Sequence, residues 1–252
     1  LKLIKMHVLK ENAYIFLNYP LVNPTGQIYT NEELFDIFEI CKEYKINLII
    51  DTIFSGLEYL NSNENYLTNL DTEQITLFGG LSKEYSCGGI RFGFCHTTDP
   101  IFKENMGLNT FNYVAKNIKF FAKNLYTAIN QFDSELETFR TKQKRLLKQR
   151  HDSLSLALSS NGWLPMESHG GLFLIAKPSE NLINKSVTIA GEKRIISYEN
   201  IHEILYDCTG LLINGTQWTG LNEYCRFVLS LLEKDFEEAL EQIKSFYILV
   251  SK

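Results

Sequence analysis

The stretch that decides the fold is residues 75–95, ITLFGGLSKEYSCGGIRFGFC. Its two ends, Ile75–Phe78 and Arg91–Cys95, are short apolar runs typical of strands, and the glycine-rich segment between them is typical of a loop. Ser82 and Lys83 lie in that loop, and Arg91 follows Lys83 by eight residues. A lone lysine or arginine is usually solvated, so this loop becomes a candidate site only together with features elsewhere in the chain.

Two further apolar runs precede this stretch, and each leads into a polar residue or a loop. Leu48–Asp51 ends on an acidic residue, and Tyr14–Leu17 is followed by a Pro/Asn/Gly cluster that contains Asn23-Pro24-Thr25-Gly26. Between the two runs, Thr30 and Glu33 form a capping-box pattern that predicts the start of a helix. Continuous apolar strands of this kind suit a sheet that is covered on both faces.

A long helical pattern follows the stretch, from Glu104 to Leu158, and it ends at Asn161-Gly162. A basic cluster lies within it. A polybasic binding surface is one interpretation, but a solvated helix face is favoured because Glu135 and Glu137 lie just before the cluster. The cluster comprises Arg140, Lys142, Lys144, Arg145, Lys148 and Arg150.

The pattern changes after Gly162, where short strands alternate with helices. We predict a strand at Leu172–Ala176, then a loop, a helix at about Asn200–Tyr206, strands near Leu211 and Phe227, and a last helix with Phe236 and Tyr247 on one face. The chain is therefore expected to have three parts. They are a partial large domain over residues 1–130, a connecting long helix over 131–161 and a small α+β C-terminal domain over 162–252.

Composition and charge exclude several kinds of function. With 252 residues and a net charge of -5, the chain lacks the surplus of basic residues that nucleic-acid binding needs. No apolar run approaches the length of a membrane span, so we expect a cytoplasmic protein. The spacing of cysteines and histidines favours reduced, mostly buried thiols and no metal site. The cysteines are Cys41, Cys87, Cys95, Cys208 and Cys225.

Four features occur in a fixed order along the chain, and together they resemble the class I and II aminotransferases. They are Asn23-Pro24-Thr25-Gly26, Asp51, Ser82-Lys83 with Arg91, and Arg226 within Tyr224-Cys225-Arg226-Phe227. The resemblance implies an α/β fold, that of the pyridoxal-phosphate (PLP)-dependent transferases of fold type I. It implies the C-terminal portion of that fold, with part of the large-domain sheet and a small α+β C-terminal domain.

The resemblance also implies how a site would hold the PLP ring. Lys83 resembles the catalytic lysine that forms a Schiff base with PLP and moves a proton during catalysis. Asp51 resembles the carboxylate that pairs with the pyridinium nitrogen, and Asn23 resembles the donor to the phenolic oxygen. A protonated pyridinium nitrogen lets the ring accept carbanion charge.

The resemblance also implies roles for two arginines, and the sequence differs from the usual family pattern at two positions. Arg91 resembles the residue that binds the PLP phosphate, and Arg226 resembles the residue that binds the α-carboxylate of an amino-acid substrate. Phe54 stands where the family usually has a tyrosine, and Gly80 stands where it usually has a phosphate-binding serine. Ser82 is expected to replace that serine only in part, so the cofactor affinity should be lower than usual.

Further strings, spread over nearly the whole chain, resemble the aminotransferase-like C-terminal region of the methionine S-methyltransferases. They include Asp51–Tyr59, Gly79–Ser82, Ala176–Ser179 and Trp218–Gly220. In the aminotransferases the phosphate-binding loop and the stacking aromatic precede the Asn-Pro-Thr-Gly strand, so both are expected in a segment before residue 1. We therefore expect about half an active site in this chain, and either a homodimer or association with that missing N-terminal part.

Three functions agree with these residues. The first is a PLP-dependent aminotransferase acting on an α-amino acid, which Lys83, Asp51 and Asn23 favour. The second is a non-catalytic regulatory or assembly module of a methionine S-methyltransferase, which Phe54 and Gly80 favour. The third is a PLP lyase or decarboxylase of the same fold, and these residues do not separate it from the first, because a fold does not fix the reaction.

Overall fold

The computed structural model describes residues 14–59, 75–113 and 118–251. It divides into two compact units. The first unit comprises the residues up to Val22 together with Ile28–Lys144, and the second comprises Asn23–Gln27 together with Arg145–Lys252. The short segment Asn23–Gln27 thus belongs to a different unit from the residues on either side of it.

The first unit contains a four-stranded sheet in the order β1-β2-β3-β4. β1 pairs with β2, and β2 with β3, in parallel, whereas β3 and β4 are antiparallel. The predicted strands are confirmed, although the fourth was expected to begin at Arg91 and begins two residues later. Arg91 instead has a left-handed backbone (φ 57°) and ends a short 3-10 turn. The strands are β1 (Tyr14–Asn18), β2 (Asn47–Asp51), β3 (Ile75–Gly80) and β4 (Gly93–Thr97).

One helix, α1 (Asn31–Glu43), connects β1 to β2, as a parallel pair requires. Its predicted capping box is confirmed, because the Glu33 amide donates to Thr30 Oγ1 over 3.1 Å and the Thr30 amide donates to Glu33 Oε2 over 2.9 Å. The apolar side of α1 packs against the sheet and buries a small core. That core contains Cys41, Ile46, Leu48, Ile50 and Ile75.

The described residues confirm the helical pattern between Glu104 and Leu158, and they form three helical segments there. They are α2 (Pro100–Tyr113), α3 (Ile118–Gln131) and α4 (Asp133–Ser160). The division between the two units falls inside α4, after Lys144.

The second unit has a four-stranded sheet in the order β5-β6-β10-β9, and the three pairings are antiparallel. Its core includes Trp163 and Phe227, whose rings meet edge to face with centroids 5.3 Å apart. The remaining elements are β5 (Trp163–Pro165), β6 (Phe173–Pro178), the hairpin β7 (Ser186–Ile189) and β8 (Glu192–Ile195), α5 (Ile201–Thr209), β9 (Asn214–Gly215), β10 (Cys225–Val228) and α6 (Glu233–Val250).

Two predictions about this unit, and one about the cysteines of both units, need correction. The strand expected near Leu211 begins three residues later, at Asn214. The hairpin formed by β7 and β8 was expected to be a loop. Among the five thiols, all of which are free, only Cys41 and Cys225 are buried, so the expectation of mostly buried cysteines is wrong for the other three.

The prediction of a solvated basic face on α4 is wrong for two of its residues. Arg150 is only 7% exposed, and its guanidinium donates to the carbonyl oxygens of Leu229 (2.9 Å) and Leu231 (2.7 Å). Arg140 is partly buried and donates to Glu84. Lys142, Arg145 and Lys148 are exposed, as predicted.

Candidate active site

Asp51 is the last residue of β2, and its carboxylate is held in place by two donors. The Ile53 amide donates to Oδ1 over 3.0 Å, and Asn18 Nδ2 donates to Oδ2 over 3.3 Å. Asn18 is the last residue of β1 and is the direct neighbour of Asp51 in the parallel register. Sequence reasoning missed Asn18, although the meeting of strand ends at one edge of a parallel sheet was a usable signal.

The chain reaches Lys83 through the glycine pair that ends β3. A Cβ added to Gly80 would lie 2.9 Å from the carbonyl oxygen of Phe92, and one added to Gly79 would lie 2.4 Å from the ring of Phe94. A side chain at Gly80 would therefore crowd the backbone just before β4, whereas one at Gly79 would have to displace the exposed ring of Phe94. The departure from the family's serine at Gly80 has a steric reason in this chain.

Lys83 lies in the turn that follows β3 and is partly buried, as is Ser82. Three backbone hydrogen bonds of 3.3–3.4 Å close this turn, from the amides of Tyr85, Ser86 and Cys87. Gln143 Nε2 also donates to the carbonyl oxygen of Lys83 over 3.3 Å. Within the part of the chain that the structure describes, the Lys83 amine has no hydrogen bond or ion pair.

Arg91 is exposed, and one of its guanidinium nitrogens donates to the carbonyl oxygen of Gly88 over 3.2 Å. Phe54, which follows Asp51 in the loop after β2, is 7% exposed. An apolar ring at this position offers no hydroxyl group to a ligand.

Asn23 lies in the short segment that belongs to the second unit. Its side-chain oxygen Oδ1 is buried and accepts no hydrogen bond from a described residue. The segment is fixed by Gly26, whose carbonyl accepts from the His169 amide over 2.8 Å. Gly26 has a φ of +67°, and an added Cβ would lie 2.0 Å from Ser168 Oγ, so only glycine fits there.

Arg226 lies on β10 between two aromatic rings. Its guanidinium carbon is 4.5 Å from the ring centroid of Phe173 and 5.4 Å from that of Trp218. Its Nε is buried and has no partner among the described residues, and burial lowers the pKa of this arginine from its ordinary value. Phe173 was not recognised from the sequence, because only the register β6–β10 places it beside Arg226.

The predicted site residues are thus divided between the two units. Asp51, Ser82, Lys83 and Arg91 lie in the first unit, and Asn23 and Arg226 lie in the second. Within the first unit, Asp51 is the register partner of Phe78 in β3. The end of β2, which carries Asp51, is therefore a neighbour of the end of β3, which leads to Lys83.

Two further properties concern only the described residues. They contain no group of three or more His, Cys, Asp or Glu side chains that could hold a metal ion. Nor do their helices include one that is long and apolar enough to cross a membrane.

The family model for aminotransferase class I and II matches residues 5–243. The chain therefore belongs to the class I and II aminotransferase family, and the resemblance inferred from its motifs is confirmed. Solved structures of this family superpose closely on it. The aspartate aminotransferase from Rhizobium meliloti gives a TM-score of 0.80 at 18% identity and covers 99% of this chain and 61% of that one. The fold is therefore that of the PLP-dependent aminotransferases.

The similarity in sequence is greater to another group of proteins. The methionine S-methyltransferase of Hordeum vulgare is 31% identical over 251 residues, which are 95% of this chain and 23% of that protein. The methionine S-methyltransferase of Wollastonia biflora is 32% identical over 256 residues, again 95% of this chain and 23% of that protein. This chain therefore spans less than a quarter of the length of these relatives.

Proposed function

We propose that this chain binds PLP through Lys83 and acts on an α-amino acid as an aminotransferase. The observation that carries the proposal is the amine of Lys83, which has no partner among the described residues and lies in the turn after β3, next to the strand that presents the carboxylate of Asp51. Among the buried side-chain atoms that have no hydrogen-bond partner in the described residues, Arg226 Nε is a donor and Asn23 Oδ1 is an acceptor, and both belong to residues predicted to contact a ligand. When bound, PLP supplies an electron sink for the carbanion formed on the substrate.

Asp51 is suited to hold a proton on the cofactor's ring nitrogen. Its two oxygens accept hydrogen bonds from Asn18 and from the backbone of Ile53, which fix the plane of the carboxylate. A fixed carboxylate loses little freedom when it accepts an N–H donor, and its negative charge favours the protonated ring. Asn18 is therefore proposed as the residue that orients Asp51.

Lys83 is proposed to attach the cofactor and to carry a proton. A lysine amine can act as a nucleophile, and Lys83 has no carboxylate partner among the described residues that would hold the amine away from a ligand. With cofactor and substrate bound, the Lys83 amine would carry a proton between the substrate α-carbon and the cofactor. The flexible four-carbon side chain allows both steps from one backbone position.

Arg226 is proposed to bind the substrate α-carboxylate, and Arg91 and Ser82 to contact the cofactor phosphate. The rings of Phe173 and Trp218 hold the Arg226 guanidinium at 4.5 and 5.4 Å, so its forked donors are organised before a carboxylate arrives. Arg91 is exposed and its fork has only the Gly88 carbonyl as a described partner.

A second candidate function is supported by Phe54 and Gly80 together with the methionine S-methyltransferase relatives. Phe54 provides no hydroxyl for the ring, and a serine at Gly80 would crowd the carbonyl oxygen of Phe92. Such a chain would serve as a non-catalytic regulatory or assembly module of a methionine S-methyltransferase. A PLP lyase or decarboxylase would use the same residues as the aminotransferase and is distinguished from it by its products.

We also propose a cytoplasmic protein that assembles, either as a homodimer or with a preceding segment of its own polypeptide. The support is the outer strand of the described sheet, β1, where Tyr14 is 55% and Phe16 is 60% exposed. Exposed apolar side chains on an edge strand favour pairing with another chain or segment.

The visible absorption spectrum of the natural polypeptide that contains this chain tests the proposal. Adding PLP should produce a visible band that Lys83→Ala abolishes, whereas Lys103→Ala, which changes an exposed lysine of α2, should leave it unchanged. Conversion of amino acids to their oxo acids would then identify the aminotransferase. A band that is equally strong in both variants would contradict the role of Lys83.

A further inference from the structure

One face of α4 contacts the turn that carries Lys83. Arg140, Gln143 and Lys144 follow each other at helical spacing, so their side chains lie on the same side of α4. Arg140 and Lys144 belong to the basic cluster for which the sequence suggested no role. All of their contacts described below lie within the first unit.

Arg140 binds the residue that follows Lys83. One guanidinium nitrogen donates to Glu84 Oε1 over 2.9 Å and to the hydroxyl of Tyr85 over 3.3 Å, and the other donates to Glu137. The guanidinium also lies over the Tyr85 ring, 5.8 Å from its centroid. Both partners in the Arg140–Glu84 pair are largely shielded, with side chains 26% and 20% exposed, so water screens the pair less than a surface ion pair.

Gln143 binds the turn itself. Its amide nitrogen donates to the carbonyl oxygen of Lys83 over 3.3 Å and to Ser86 Oγ over 3.1 Å. The three backbone hydrogen bonds inside the turn are long, at 3.3–3.4 Å, so the turn is held weakly by its own backbone. The contacts from α4 add to these backbone bonds in holding the turn.

The Glu84 carboxylate also meets the loop after β2. A Cβ added to Gly56 would lie 2.6 Å from Glu84 Oε1, and Gly56 has a φ of +85°. Glu58 in the same loop is largely buried, and it interacts electrostatically with Lys144 and Glu84. One face of α4 thus contacts the turn after β3 directly. Glu84 extends this network to the loop after β2, and β2 is the strand that ends on Asp51.

We propose that Arg140 and Gln143 are positioning residues for Lys83, an inference that rests on the proposed function of Lys83. Through Glu84, Tyr85 and the Lys83 carbonyl they fix the backbone from which the Lys83 amine extends. Neither residue is assigned a contact with the cofactor or the substrate. Their effect is on where the amine lies and on the ease with which it gains or loses a proton.

Amide hydrogen exchange in the cofactor-free natural polypeptide tests the anchoring contacts. Arg140→Gln and Gln143→Leu should each speed exchange at Tyr85, Ser86 and Cys87 by about fivefold, the factor that corresponds to one lost hydrogen bond. The amides of β2 should not change. The matched control is Lys142→Gln, which removes a charge from the same turn of α4 at an exposed position, and it should leave all these rates unchanged.

A spectroscopic readout separates positioning from a purely structural role. In the PLP-loaded protein, Arg140→Gln and Gln143→Leu should shift the pH midpoint of the visible band, while Arg140→Lys should restore part of the shift and Lys142→Gln should cause none. Faster exchange with an unchanged midpoint would overturn the positioning role, since the contacts would then only support the fold. Unchanged exchange would overturn it as well. A wild-type protein without any visible band would overturn the proposed function of Lys83, and the positioning role with it, whatever the exchange rates show.

Discussion

Arg150 provides a stability prediction whose size can be worked out from its contacts. This residue of α4 is 7% exposed, and it donates to the carbonyl oxygens of Leu229 and Leu231 over 2.9 and 2.7 Å. A hydrogen bond from a charged donor contributes about 1.5–3 kcal/mol. The ion pair with Glu233, whose side chain is 69% exposed, adds under about 1 kcal/mol. The Phe236 ring, 5.1 Å away, adds about 0.5–1 kcal/mol.

We expect Arg150→Met to lower the free energy of unfolding by about 3–5 kcal/mol, because methionine keeps the packing of the side chain but leaves two carbonyl groups without a donor. The measurement is urea denaturation followed by tryptophan fluorescence. Both tryptophans of the chain, Trp163 and Trp218, lie in the second unit with Arg150, so the signal reports on that unit.

The control is Lys148→Met, which removes a charge from the same helix. Lys148 pairs with Asp152 over 2.6 Å, but the two side chains are 46% and 56% exposed, and such a pair contributes about 0.5 kcal/mol or less. Equal losses in the two variants, or a loss below about 1 kcal/mol for Arg150→Met, would refute the assignment of Arg150 as a buried anchor.

Four further predictions concern other parts of the chain. Arg226→Lys should weaken amino-acid binding by about 1–3 kcal/mol, measured by calorimetry on the natural polypeptide, because a point charge does not reproduce the forked donors; unchanged affinity would contradict the carboxylate role. Gly80→Ser should cost about 1–3 kcal/mol of unfolding free energy, whereas Gly89→Ser, where an added Cβ meets nothing within 4 Å, should cost much less. Burial raises the pKa of Glu58, so folding favours its protonated form, and its ionisation reduces stability as the pH rises above the ordinary pKa of glutamate. In denaturation measurements over a pH series, Glu58→Gln should therefore gain stability relative to the wild type between about pH 4 and pH 7. A difference that does not change with pH would disprove the shift. Phe16→Lys should reduce association of the chain in sedimentation velocity, and a monomeric wild type at high concentration would contradict the proposed assembly.

The sequence was sufficient to predict the elements of the first unit because each left a local signal. The apolar runs of β2 and β3 are continuous, and the Thr30–Glu33 capping box fixes the start of α1. Most of the motif residues were also found locally, since Asn23, Asp51 and Lys83 lie at or after a strand end. What the sequence did not supply was the support around them: Asn18 contacts Asp51 only through strand register, and Gln143 reaches Lys83 across 60 positions of sequence.

Two errors came from signals that were present but not used. Arg150 shares a helical stripe with Leu147, Leu154 and Leu158, all of which are buried, so its spacing already placed it on the inner face of α4. The hairpin of β7 and β8 turns at Ala190-Gly191, where both residues have positive φ, and a glycine in a two-residue turn was a usable sign of it. Its strands were missed because Glu192-Lys193-Arg194 is entirely charged.

Most of the roles proposed for residues of this chain depend on whether Lys83 binds PLP. The decisive measurement is mass spectrometry of the natural polypeptide after incubation with PLP, reduction with borohydride and proteolysis. We predict a phosphopyridoxyl group on the peptide that contains Lys83, at near-stoichiometric yield, and its loss in Lys83→Ala. Labelling spread over exposed lysines such as Lys103 and Lys142, with no enrichment at Lys83, would contradict the account and leave the regulatory module as the better description of this chain.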